Sequence, residues 1–575
     1  MKNRWNKTPS PFNSFEEKEN FLLSNFKGIY TETNSYHIKG LNTVLNEITK
    51  NIDAPIRICG DYDVDGITST AELFLLLTKG LGAKDVKYYL PKRFSDGYGL
   101  SKKIIDVFLK DEPPGLLITV DNGIAAEDAI QYAKNLKWTV IILDHHIVPT
   151  DEDGNRLYPN ADIIIDPKAV PGSSNFTDYC AAGIVYKLSK EAEKLNLLKD
   201  ISIIPKITSF ATLGTVCDNV LLIEQNGNII LYDNYILVKE GLHTILQNEG
   251  RTTGLYCLLR ALNKDINISE TDIGFSIGPT MNALSRLEDS GATAVLELLL
   301  SDDNNFNECD IIAQKLKTAN DVRKELTATA VPVFAKRIEA NHMENDYPIV
   351  VTSEPNEVHP GLIGLIAAQL CEKYKTPVVL LAPEDATLKD GADTNILHGS
   401  ARAPAATNIK DILDHCSSLF IKYGGHAHAA GVTMDVKNIN KLREAANAYT
   451  LSNGGKPEEL YNRYYDFEIS TKEIAENIEA INKSAPYGMG HPAPVYRIKN
   501  FILKKKFGNF YKFLGASGNS LKLNGYYADA ICFTPEISER YKNNHPLQLN
   551  LYGTLGINKW NGEESNQIIF NDYDV

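Results

Sequence analysis

The sequence predicts an α/β protein: a parallel-sheet domain, a smaller second α/β unit joined to it by a long helix, and a C-terminal β-barrel domain. Three observations predict this. From about residue 51, short apolar runs alternate with amphipathic stretches; residues 304–340 carry many charges and few breakers; and beyond about 458, short strand-like runs are separated by turn residues. Strand–helix alternation implies a parallel sheet covered on both faces. A chain of 575 residues has room for three or four domains of ~150 residues each.

In chain order, residues 1–50 are poorly periodic and read as an N-terminal extension. Pro55–Cys59, Val86–Leu90, Leu116–Val120, Val140–Leu143 and Asp162–Ile165 read as strands, with helices over Ile67–Lys79 and Ala125–Lys134 between them. Residues 180–300 read as mainly helical, completing a domain over 51–303. The connecting helix spans 304–340. The second α/β unit, 341–451, holds strands Pro348–Thr352 and Val378–Leu381 and helices Ile363–Lys373 and Ile439–Tyr449. Ser452–Pro457 reads as a linker into a small antiparallel barrel or sandwich, the last domain, 452–575.

Composition narrows the function. Hydrophobic residues make up 43% of the chain and charged residues 23%, with a net charge of −14. That charge argues against coating nucleic acid by bulk attraction and leaves room for a local basic groove. Eight cysteines lie scattered with no CxxC pair, which points away from zinc and disulfides and toward a reducing cytoplasm. The first residues lack a secretory apolar core, and no apolar run reaches the ~20 residues that span a bilayer.

The most informative stretch is Gly60–Ser69, GDYDVDGITS, where Asp61, Asp63 and Asp65 alternate between a strand and a helix. Gly66 suits a tight turn there. Ligands of parallel sheets sit beyond the C-terminal strand ends, and three acids at such a point repel one another unless a cation neutralises them. Strand Leu116–Val120 ends in Asp121-Asn122-Gly123, strand Val140–Leu143 ends in Asp144-His145-His146, and Asp218 closes the apolar segment ATLGTVCDNVLL. Oxygen donors with one imidazole suit Mn²⁺ or Mg²⁺. Two such ions ~4 Å apart activate water against a phosphoester without a Ser or Cys nucleophile. A lone DxD is an ordinary turn or helix cap; it is the recurrence of acids at successive strand ends that points to metal.

This set resembles the motifs of the DHH phosphoesterases, and several further stretches resemble the RecJ exonucleases of that family: PKRFSDGYGL (91–100), GPTMNALSRL (278–287), HPGLIG (359–364), GSAR (399–402), GGHAHAAG (424–431) and PYGMGHPAP (486–494). The resemblance covers roughly residues 50–575. It implies that Asp63, Asp65, Asp121, His145 and Asp218 hold two Mn²⁺ or Mg²⁺ ions, with Asp121 bridging and Asp61 ligating or supporting. It implies that Asp144 orients His145 and that His146 leans on the substrate phosphate. The second α/β unit then resembles the DHHA1 domain, whose His359, Ser400, Arg402, Gly424, Gly425 and His426 would meet phosphate. Asn282 and Arg286 would join them, with a structural salt bridge as the competing account of Arg286. Arg93 and Tyr98 would contact the strand, or form only a surface turn.

Three positions depart from the family pattern. Cys59 stands where many DHH proteins have histidine, Thr280 stands where RecJ sequences have arginine, and NALSR replaces NAAGR. In KKKFGNFYKF (504–513), lysines alternate with aromatics, a pattern that suits base stacking in an OB-like module through Lys505, Phe507, Phe510 and Tyr511, or else simply an amphipathic strand. The resemblance implies 5′→3′ hydrolysis of single-stranded DNA to mononucleotides in repair and recombination, beside a helicase and a single-strand-binding protein. A phosphodiesterase of short oligonucleotides or cyclic dinucleotides, and a strand-binding protein with a decayed metal site, remain as alternatives.

Overall fold

The computed structural model describes residues 4–10, 12–18, 38–151, 153–226, 229–301, 305–383, 395–456, 462–515, 518–560 and 563–575. These form two compact units, one of residues 36–460 and one that joins the start of the chain to residues 461–575. Asn304 and Pro457, expected at domain junctions, lie outside the described residues.

In the larger unit, five strands make a wholly parallel sheet in the order Val86–Tyr89, Ile56–Cys59, Leu116–Val120, Thr139–Leu143, Ile163–Ile165. Ile56–Cys59 and Leu116–Val120 are buried along their whole length, as expected of strands covered on both faces. One face packs Ile58, Ile118 and Ile141 against helices that include Leu73, Ile184 and Ile207. The other packs Cys59, Leu117 and Ile142 against Ile104, Ile130 and Trp138. Each fully buried Leu or Ile contributes roughly 1.5–3 kcal/mol. Chain order reverses between the strands Ile56–Cys59 and Leu116–Val120, and such a switch point opens a crevice at the strands' carboxyl ends.

Part of the expected N-terminal extension belongs to this sheet's core. Leu41–Lys50 is a helix whose Leu41, Val44, Leu45 and Ile48 are buried there. The helical region contains one hairpin, Glu224–Asn226 with Ile229–Leu231.

Helix Phe306–Ala340 runs from the first core to the second. Leu316 and Ala319 pack in the helical core of the first domain, and Phe334, Ala335 and Ile338 pack beneath the second sheet. That sheet is mixed, in the order Phe420–Gly425, Ala429–Asp435, Ile396–Arg402, Val378–Pro383, Ile349–Thr352, with only the last pair parallel.

The smaller unit is a seven-stranded sheet in the order Phe467–Ser470, Tyr496–Ile502, Gln548–Trp560, Glu563–Asp574, Asp529–Cys532, Ser520–Leu523, Tyr511–Leu514. It is not purely antiparallel: the pairs Phe467–Ser470 with Tyr496–Ile502 and Asp529–Cys532 with Glu563–Asp574 are parallel. Register breaks at Ile498/Phe501 and Tyr552/Gly553 are the kind that curl a sheet. Strand Arg4–Lys7 pairs in parallel with Asn462–Tyr465. Trp5 stacks on Tyr552 at 4.5 Å and donates its indole N–H to Asp572 at 2.8 Å, so the chain's first strand is structural in this unit.

Candidate metal centre and anion cleft

Three strand ends and one helix end meet at the switch point. Asp63 caps helix Val64–Leu75, accepting from the Gly66 amide at 3.2 Å. Gly66 lies inside this helix rather than in a tight turn, and a Cβ there would stand 2.5 Å from the Asp61 backbone nitrogen. Its smallness is needed for close approach. Asp65, in the first helical turn, accepts from the Ala181 and Ala182 amides at 2.7 and 2.9 Å, so the start of helix Ala181–Lys194 also faces it. Helix N-termini favour carboxylates. Burial nevertheless raises Asp65 to about 6, against the pull of the Ala182 amide and with Asp63 adding repulsion.

Asp121 follows its strand in a left-handed conformation, φ 62°, one that Asp adopts more readily than most residues. The neighbouring Asn122 side chain ties the strand ends together, donating to the carbonyls of Cys59, Gly60 and Val120. Asp218 caps the C-terminus of helix Ile203–Cys217, an end that disfavours negative charge. Burial raises Asp61, Asp121 and Asp218 well above the usual carboxylate range, and neighbouring acids raise each further.

His145 lies among them. Its Nε2 is 3.1 Å from Asp121 and 3.7 Å from Asp65, and its Nδ1 is 3.6 Å from Asp218. Burial and then His146 hold it far below the ordinary histidine range, so the ring is neutral and able to ligate. Contrary to what the resemblance implies, Asp144 does not orient it through the ring: Asp144 bonds the His146 Nδ1 at 2.8 Å and takes only the backbone amide of His145. Burial works against both charges, yet the pairing holds Asp144 down to about 2 and His146 up to about 9. His146 Nε2 is 3.2 Å from the Tyr98 hydroxyl, which donates to the Asp121 carbonyl at the same distance. Tyr98 therefore braces the cluster from a loop expected to face the strand.

These side chains form three overlapping groups able to hold a cation: Asp121 with Asp144, His145 and His146; Asp65 with His145 and Asp218; and Asp61 with Asp63 and Asp121. Asp61 Oδ1 and His145 Nδ1 are buried without a hydrogen-bond partner. Mutually repelling acids, orphaned ligand atoms and a hard oxygen set with one neutral imidazole, His145, fit Mn²⁺ or Mg²⁺. Cys59 is fully buried in the apolar layer with Leu117 and Ile142 and is outside these groups. The sequence reading missed Asp166, which ends the fifth strand; it is buried, which raises it to about 7, while the Lys168 and Ala169 amides bond it.

The second domain brings His426 to within 6.3 Å of the His146 ring. Ser400 serves Arg402 directly, accepting from its Nη1 at 2.6 Å. The HPGLIG turn fits closely between two arginines: a Cβ on Gly361 would meet the Arg286 carbonyl at 2.0 Å, and one on Gly364 would meet Arg402 Nη2 at 2.7 Å. His359 Nδ1 accepts from the Gly361 amide, and its ring meets Phe94 edge-on at 5.3 Å. Arg286 reaches the Gly361 carbonyl at 3.4 Å and makes no salt bridge among the described residues. Arg93 stacks over Tyr62 at 3.9 Å, so it is held beside the cluster rather than in a plain surface turn. Asn282 Oδ1 is buried and unbonded. Gly424 and Gly425 lie in a strand rather than a loop; Gly425 has φ 146° and no room for a Cβ against the Ala429 carbonyl, whereas Gly424 faces open space.

In the smaller unit, the expected alternating strand begins only at Tyr511. Lys506 and Asn509 close a hairpin turn that puts Phe507 at its tip, 97% exposed. Phe510 and Tyr511 pack partly on the core, and the Lys505 ammonium lies 5.5 Å from the Phe510 ring centre.

Comparison with known proteins accords with this arrangement. Residues 55–215 match the DHH family N-terminal domain, 346–451 the DHHA1 domain and 465–572 the RecJ OB domain. The single-stranded-DNA-specific exonuclease RecJ of Bacillus subtilis is 26% identical over 570 residues, 98% of this chain and 66% of that protein. The Haemophilus influenzae protein of the same name is 28% identical over 538 residues, covering 89% and 86%. The crystal structure of RecJ in complex with Mn²⁺ from Thermus thermophilus superposes with a TM-score of 0.72 at 24% identity, over 94% of this chain and 72% of that one. A second structure, exonuclease RecJ bound to manganese, gives 0.57 at 26% identity, covering 72% and 94%.

Proposed function

We propose that this chain, a DHH-family protein with DHH, DHHA1 and RecJ OB domains in that order, is a divalent-metal-dependent exonuclease that hydrolyses single-stranded DNA from the 5′ end to mononucleotides. The observation that carries the reading is the meeting of Asp61, Asp63, Asp65, Asp121, His145 and Asp218 at one sheet switch point, with Arg93, Arg286 and Arg402 close by. Bound there, Mn²⁺ or Mg²⁺ supplies an acidified water and neutralises phosphate charge. Neutral His145 and the five carboxylates would hold the ions. His146, kept protonated by Asp144, presents a cationic ring to a phosphate oxygen as charge develops there. Arg402, steadied by Ser400, and Arg286 would fix the strand by its phosphates. Phe507 offers a base-stacking face in the OB unit.

We infer a reducing cytoplasm as its place of action, supported by eight free cysteines; no described helix is long and apolar enough to cross a membrane. Work beside a helicase and a single-strand-binding protein is part of the same proposal.

The test is incubation with Mn²⁺ and end-labelled long single strand, duplex or dinucleotide. Stepwise 5′ degradation of the long single strand supports the reading. Cleavage of the dinucleotide alone would assign a short-oligonucleotide phosphodiesterase, and strand binding without cleavage would assign a binding protein.

A further inference from the structure

The departure at Thr280 has a structural counterpart on the connecting helix. Thr280 is fully buried; its hydroxyl donates to the Ser276 carbonyl at 2.7 Å and accepts from Asn320 Nδ2 at 3.0 Å. The Asn320 oxygen in turn accepts from Arg323 Nε at 3.0 Å. A continuous chain thus runs from helix Gly278–Ser285 across to helix Phe306–Ala340 and ends on a guanidinium. With Nε tied back, the two outer nitrogens are left as a fork, the geometry that matches a phosphate.

Arg323 lies where the helix passes between the two domains. Leu316 and Ala319, just before it, belong to the first core, and Ala330, Val331 and Phe334, just after it, pack on the second. Among the described residues, Arg93, Arg286, Arg323 and Arg402 have no carboxylate partner. Burial, then the neighbouring charges of Arg93, Arg323 and Arg402, pull Arg286 down to about 10. Three half-buried cations crowd Arg286, and Asp63 of the metal cluster offsets them there only in part, which makes a place for an outside anion.

We propose that Arg323 is a further phosphate-binding residue beside Arg286, positioned by Thr280 and Asn320 and presented from the connecting helix. This rests on the nuclease reading above. The strand's phosphodiester is the ligand class. Asn320 and Thr280 are positioning residues and do not touch it.

The test compares full-length wild type, R323Q, R323K, N320A and, as a control for bulk charge, R260Q, whose arginine pairs with Asp310 elsewhere. Binding of a fluorescent single-stranded oligonucleotide is measured in EDTA over a range of salt, and KM and kcat in Mn²⁺. R323Q should bind ~10-fold more weakly, as loss of a charge-assisted contact predicts. Its log–log salt dependence should fall by about 0.7, one single-strand phosphate contact. KM should rise with kcat nearly unchanged. R323K and N320A keep the charge, so their salt dependence should match wild type while affinity drops. R323Q indistinguishable from R260Q in affinity and salt slope would overturn the proposal. If R323Q does not fold, N320A decides: wild-type affinity and KM in N320A overturn it equally. A wild-type protein that neither binds nor cuts single strands would defeat the nuclease reading instead, so the two failures are distinct.

Discussion

Replacing Asp65 with asparagine should flatten the pH dependence of stability in the metal-free protein. Burial raises Asp65 from 3.8 to about 6 even though two backbone amides bond it. A carboxyl raised on folding keeps its proton in the native state where the unfolded chain has lost it. Stability therefore falls as pH rises from 3.8 through about 6, and the whole penalty is present above that window. At 1.36 kcal/mol per pH unit the penalty is roughly 3 kcal/mol at pH 7, of which about 2 kcal/mol develops between pH 4.5 and 7. The asparagine side chain does not titrate and still offers an oxygen to one amide. Urea unfolding of EDTA-treated wild type and D65N at a series of pH values should show wild type losing about 2 kcal/mol more than D65N over that interval. Mn²⁺ should restore much of the loss in wild type, since an ion at 1,000 times its Kd adds ~4 kcal/mol. Parallel pH profiles for the two proteins, or no stabilisation by Mn²⁺, would refute the reasoning.

Three further outcomes follow from the geometry. D121N, in which asparagine tolerates the φ of 62°, should lower hydrolysis at least ~10³-fold while single-strand affinity in EDTA stays near wild type; equal loss of both would count against Asp121 as a metal ligand. G364A puts a methyl 2.7 Å from the flexible end of Arg402, so the melting temperature should hold while KM for single-stranded DNA rises, with Mn²⁺ binding unchanged. W5A removes the stack on Tyr552 and the bond to Asp572, and should destabilise the C-terminal unit by ~2–3 kcal/mol in thermal melts without altering Mn²⁺ affinity.

The parts of this molecule legible in its sequence are those set by local pattern. Leu116–Val120 is a strand as read, because an apolar run ending in Asp-Asn-Gly leaves little choice. The acids at strand ends were visible because a parallel sheet sends its carboxyl ends to one rim. What escaped depends on contacts between distant segments. Strand Arg4–Lys7 pairs with residues more than 450 positions away, and nothing local in RWNK marks it. The family resemblance pairs Asp144 with His145, but its side chain meets the next ring along, because His145 turns into the cluster toward Asp121 and Asp218. Gly66 was assigned to a turn, although its role is to let the Asp61 backbone lie against a helix. Lysines and aromatics at 504–513 resembled a strand, but positive φ at Phe507 and Gly508 turns the chain there. Arg323 carried no signal at all, since one arginine in a charged helix looks like solvent-facing surface until Asn320 and Thr280 are seen to hold it.

The central claim is that acids from four separate segments form one cation-holding cluster. Titration of the EDTA-stripped protein with Mn²⁺, followed by the EPR signal of the free ion, tests it most directly. Wild type should take up two equivalents saturably, and D63N, D121N and D218N should each lose at least one of them. Absence of saturable uptake in wild type, or undiminished uptake in all three variants, would contradict it.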